Sequence, residues 1–141
     1  MRVVLDTSVL VAAVRSPAGA SAAILDAALS GSVQILISTA LVLEYEAVLT
    51  RADHLRASGL TTGDVDKLLD AICRMATEVT IHWQWRPQLL DPDDEMVLET
   101  AMNGRAEAIV TFNRADFIHA ARQFDFKVLS PGEALEKVKI P

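Results

Sequence analysis

Four acids in this chain stand where carboxylates do chemistry: Asp6, Glu44, Asp94 and Asp116. Asp6 closes the run Val3-Val4-Leu5 and is followed at once by two hydroxyls, Thr7 and Ser8. Three apolar residues without alternation read as a strand buried on both faces. The helical pattern of residues 9–14 then puts Asp6 at the strand's carboxyl end, where open α/β sheets bind ligands. Glu44 falls on the stripe Leu41, Tyr45, Val48, Leu49, and a carboxylate inside an apolar stripe is costly unless it is paired or holds a metal. Asp94 heads Val97, Leu98 and Ala101, and of Asp91, Asp93, Asp94 and Glu95 it is the one whose phase points inward. Asp116 lies five residues past the apolar run that ends at Thr111. Each acid also has a plainer role: Asp6, Asp94 and Asp116 as helix caps, Glu44 as an ion-pair partner.

The four share one property. Each follows a predicted strand's carboxyl end, or faces inward on a helix near one, so a parallel sheet would bring them to a single edge. Carboxylates crowded together raise one another's pKa, and hard divalent cations, Mg²⁺ or Mn²⁺, relieve that repulsion. Such a site can activate a water and stabilise the charge on a phosphate under attack. Arg114 and Arg15 adjoin these segments and could meet phosphate oxygens; solubility is the ordinary role of a surface Arg.

The elements that must hold these residues alternate strand with helix. Residues 33–37 and 126–129 read as buried strands, as does Ala108-Ile109-Val110-Thr111. Residues 79–85 alternate as an edge strand with Ile81, Trp83 and Trp85 on one side. Helices are expected over 20–29, from Ser38 or Thr39 to about Thr50, after a capping box formed by Thr61 and Asp64, over 94–103, over 117–122, and after Ser130 with Pro131 at the first position. Residues 51–60 form an arm or short helix. The pattern predicts a single α/β domain over 1–141, with a central, mostly parallel sheet covered by helices on both faces.

At 141 residues and 51% hydrophobic content the chain can bury a substantial core. No apolar run approaches the roughly 20 residues that span a bilayer, and Met1-Arg2 leads straight into the first strand. The expected location is the cytoplasm, with no membrane. Cys73, the single cysteine, is placed on an apolar helical face in a packing role. Thirteen basic against nineteen acidic residues leave −6, which argues against holding nucleic acid by bulk charge. Two divalent ions would bring −6 to −2, so a metal-dependent nuclease is compatible with that balance. His54, His82 and His119 share no ligand spacing. Trp83 and Trp85 suit core packing first, a protein interface second and base stacking a distant third.

Asp6-Thr7-Ser8 after an apolar strand, Glu44, Asp94 heading Val97-Leu98-Glu99-Thr100-Ala101, and Val110-Thr111-Phe112-Asn113-Arg114-Ala115-Asp116-Phe117 together resemble a PIN domain. The resemblance spans essentially the whole chain and is closer to the VapC-like toxins of bacterial toxin–antitoxin modules. It implies a Mg²⁺- or Mn²⁺-dependent endoribonuclease acting on RNA, held in check by a cognate antitoxin protein and forming a homodimer or higher homo-oligomer. The implied metal and catalytic residues are Asp6, Glu44, Asp94 and Asp116, supported by Thr7, Ser8, Thr111 and Asn113. Asn113 departs from relatives that carry Asp there, and a neutral oxygen is a weaker ligand for a second metal.

Two other classes keep a place beside this one. A degenerate PIN-like module would bind RNA or protein without cutting. A phosphatase-like domain would use Asp6 as nucleophile, although Ser8 stands where that chemistry usually places a second Asp.

Overall fold

The computed structural model describes residues 1–84 and 92–139. Its centre is β1 (Arg2–Leu5), whose Val3, Val4 and Leu5 are excluded from solvent on both faces. β1 pairs in parallel with β2 (Gln34–Ile37) on one side and with β4 (Ala108–Val110) on the other. β3 (Thr77–Glu78) lies outside β2 and β5 (Lys127–Leu129) outside β4, both also parallel. The order is β3-β2-β1-β4-β5. The chain thus builds outward from β1 in one direction, returns, and builds outward in the other. The reversal falls between β1 and β4, and a doubly wound sheet opens a crevice at the carboxyl ends of the strands flanking such a reversal.

Parallel neighbours need crossovers, and helices supply them. After β1 come α1 (Thr7–Arg15) and α2 (Ala20–Leu29); after β2 come α3 (Thr39–Leu49), α4 (Ala52–Ser58) and α5 (Thr62–Met75). α6 (Pro92–Asn103) leads into β4, α7 (Arg114–Phe124) joins β4 to β5, and α8 (Pro131–Lys139) closes the described chain. The Thr61–Asp64 capping box forms with both reciprocal bonds, at 3.0 and 3.1 Å. Among the described residues no single helix is long and apolar enough to cross a membrane.

Three expectations need correction. The strand expected over 79–85 is displaced: the edge strand is only Thr77–Glu78, and residues 79–84 are irregular. The reason is Asn103, whose Oδ1 accepts from the N–H of His82 and of Trp83, both at 2.9 Å. Its Nδ2 donates to the Trp83 carbonyl at 3.0 Å, so one side chain satisfies backbone that a sheet ladder would otherwise hold. Trp83 is 61% exposed, and Trp85 lies outside the described residues. Cys73 is exposed, not packed. Its position on α5 falls just beyond the buried stripe of Val65, Leu69 and Ile72. Finally, Asp94 is not alone in facing inward, because Glu95 and Glu99 are buried with it. α6 packs against β1, β2, β4, α3 and α7 at once, so more than one of its faces is covered.

Gly104 ends α6 where two layers nearly touch. A Cβ there would sit 2.7 Å from Val79 Cγ2, 2.9 Å from Leu36 Cδ1 and 3.0 Å from the Thr100 carbonyl. Leu36 is fully buried and Val79 nearly so, so neither can retreat freely. Gly104→Ala is expected to destabilise the fold by about 1–3 kcal/mol, the scale of overpacking. Urea denaturation at unchanged m-value would register it, and an unchanged midpoint would show that the contact yields.

Candidate active site at the carboxyl edge of the sheet

Asp6 directly follows β1, and its N–H continues the ladder to the Val110 carbonyl at 2.9 Å. It occupies the N-cap position of α1, yet its side chain makes no capping bond. The carboxylate instead turns across the β1–β4 crevice. Oδ2 accepts from Ser8 Oγ at 2.8 Å and from Thr111 Oγ1 at 2.7 Å, and the residue is only 5% exposed. The bland role, a helix cap, is therefore not the one its side chain adopts. Thr7 opens α1 and is half-buried.

The two hydroxyls that hold Asp6 are themselves held. Thr111 Oγ1 accepts the Asn113 N–H at 2.9 Å while donating to Asp6. Ser8 Oγ accepts the Phe112 N–H at 3.4 Å. The turn after β4 is thus tied to Asp6 through both hydroxyls. Asn113 caps α7 without a side-chain bond, and Asp116 is exposed on that helix's first turn.

α3 reaches the same edge through Tyr45. Its hydroxyl donates to the carbonyl of Leu5, the residue before Asp6. Burial, and next the negative charge of Asp6, push the phenol well above its ordinary value. Glu44, its chain neighbour, is half-buried. Ser38, the N-cap of α3, accepts from the Leu41 N–H and shares a buried 2.8 Å bond with Thr100 of α6. α6 precedes β4, so its N-terminus points toward the carboxyl edge. Asp94, 9% exposed, lies six residues before Thr100, about 9 Å along the axis toward that edge.

The two arginines are both engaged elsewhere. Arg114 Nη1 donates to Glu133 Oε1 at 2.8 Å, with both side chains about half exposed. The Ser130 N–H donates to the Glu133 carboxylate at 3.0 Å, and hydrogen bonding from Ser130 first, with the Arg114 charge after it, holds that carboxyl below its usual range. Arg15 meets His54 Nδ1 at 2.9 Å at the far end of α1, about 12 Å along the helix from its start.

Tyr45 is the site residue that sequence reasoning passes over, because a Tyr in an apolar stripe reads as core. Its position beside Glu44 was the available signal. Among the described residues no group of three or more His, Cys, Asp or Glu side chains is gathered as a metal site. Asp6, Glu44 and Asp94 thus do not form a preassembled cluster. The donors are hard oxygens, and Asp6 is pre-aimed with one oxygen already oriented by two hydroxyls.

A PIN-domain family model matches residues 2–115. The chain belongs to the PIN-domain family. PIN domains are generally nucleases that use divalent metals. No curated protein matches the chain. Among solved structures, this PIN domain is similar in fold to a chain of the crystal structure of VapBC2 from Rickettsia felis bound to a DNA fragment from their promoter. The TM-score is 0.60 at 12% identity, covering 92% of this chain and 98% of that one.

Proposed function

We propose that this PIN domain is a Mg²⁺- or Mn²⁺-dependent endoribonuclease, the toxin component of a toxin–antitoxin module. The observation that carries the reading is Asp6: a buried carboxylate at the sheet's switch point, oriented by Ser8 and Thr111 and not used to cap its helix. Asp6, Glu44 and Asp94, carried on a strand end and two packed helices, would hold the first cation directly or through its waters. Asp116 and the amide of Asn113 would hold a second one weakly, because a neutral oxygen contributes less to a hard dication. When bound, such ions would neutralise phosphate charge and activate a water.

The chain's own residues supply orientation. Thr111 and Ser8 fix one Asp6 oxygen, Oδ2, through their hydroxyls. Tyr45 keeps the end of β1 in place, and Arg114, if it exchanges Glu133 for a phosphate oxygen, would anchor the backbone of the RNA. An aspartyl-nucleophile phosphatase is disfavoured because Ser8, in the position of a second acid, is already bonded to Asp6.

The VapBC2 likeness supports a cognate antitoxin partner, and we extend the proposal to a homo-oligomer acting in the cytoplasm. Incubation of the purified protein with a bare single-stranded RNA oligonucleotide tests the activity. Cleavage with Mg²⁺ or Mn²⁺ that stops with chelator is expected, and cleavage undiminished by chelator would overturn the metal-dependent mechanism.

A further inference from the structure

Phe112 is a large apolar side chain left 55% exposed next to the most buried polar group of the site. Single exposed apolar residues are commonplace on protein surfaces, but this one sits on a backbone segment tied to the site. Its own N–H is bonded to Ser8 Oγ, the preceding Thr111 is fully buried and bonded to Asp6, and the following Asn113 N–H returns to Thr111 Oγ1. The backbone under the ring is therefore fixed on both sides, while the ring contributes little to the core. Two hydrogen bonds, meeting at Ser8 Oγ, link its backbone N–H to the Asp6 carboxylate.

We infer that Phe112 is a stacking platform for the base that flanks the scissile phosphate. This rests on the nuclease reading. An acidic protein gains little from bulk attraction to phosphates, and every base has a face that can stack whatever its sequence. An exposed aromatic on the turn bonded to Asp6 through Ser8 and Thr111 would supply that contact without net positive charge. Because the ring is half in solvent, replacing it should leave the fold intact.

The test measures anisotropy of a fluorescein-labelled 2′-O-methyl phosphorothioate oligonucleotide with Mg²⁺, its length checked after titration, together with cleavage of the matching RNA. Phe112→Leu is expected to weaken binding roughly tenfold, within the range of one lost base–aromatic stack, and Phe112→Trp to retain it. An abasic residue scanned along the oligonucleotide should weaken wild-type binding by a similar factor at one position. At that position it should have no further effect on Phe112→Leu, a coupling that a merely structural role would not produce. Wild-type binding by Phe112→Leu, or losses that add at every position, would overturn the stacking inference while cleavage by the wild type leaves the nuclease reading standing. A wild-type protein that neither binds nor cleaves would overturn both.

Discussion

Asp6→Asn should lower the rate of RNA cleavage by at least about a hundredfold, the scale of losing one main charge-stabilising group in an active site. The substitution keeps the shape and removes the charge. Ser8 and Thr111 can rotate their hydroxyls to meet an amide, so orientation survives while attraction for a dication does not. Stability should change little, because the Asn oxygen can still accept from Ser8 and Thr111. Initial rates and thermal melts on the same preparations would separate the two effects. A fall of less than tenfold in rate, with the melt unchanged, would remove Asp6 from the centre of the mechanism.

The second large effect falls on stability. Tyr45→Phe deletes the donor to the Leu5 carbonyl and leaves that carbonyl buried, at an expected loss of about 1–3 kcal/mol. Tyr45→Ala would also empty a fully buried ring site and should lose about 3–5 kcal/mol or more. The phenol gives the effect a pH signature. Its pKa is raised in the folded state, so its contribution is fully present below the ordinary value near 10 and is lost as the pH rises above it. Tyr45 is the only tyrosine in the chain, so tyrosinate absorbance reports it alone. The absorbance should appear together with unfolding in alkali. A phenol that ionises reversibly near pH 10 in the folded protein would contradict the buried bond.

The strands were legible because a two-face-buried strand leaves a continuous apolar run, as at Val3-Val4-Leu5 and Ala108-Ile109-Val110. The capping box was legible because Thr61 and Asp64 act locally. The edge strand was misread for the opposite reason: alternation at Ile81, Trp83 and Trp85 imitates a strand, while Asn103, some twenty residues away, takes its backbone bonds. Cys73 and Glu95 show a similar limit. A helical phase predicts one inward face, but which other faces are covered depends on neighbours such as those surrounding α6. In the candidate site, Asp6, Ser8 and Thr111 were recognisable by type and position. Tyr45 was not, because its role depends on a contact with Leu5 forty residues earlier. Arg114 and Arg15 were chosen for sequence proximity, and their bonds to Glu133 and His54 are tertiary facts.

Calorimetric titration of the metal-free protein with Mn²⁺ bears most directly on the claim that these carboxylates are there to hold a cation. One saturable site is expected in the wild-type protein, weakened or lost in Asp6→Asn, with any second site markedly weaker. Two equal, tight sites would show that the acids are wrongly ranked, and Mn²⁺ binding indifferent to Asp6→Asn would contradict the claim itself.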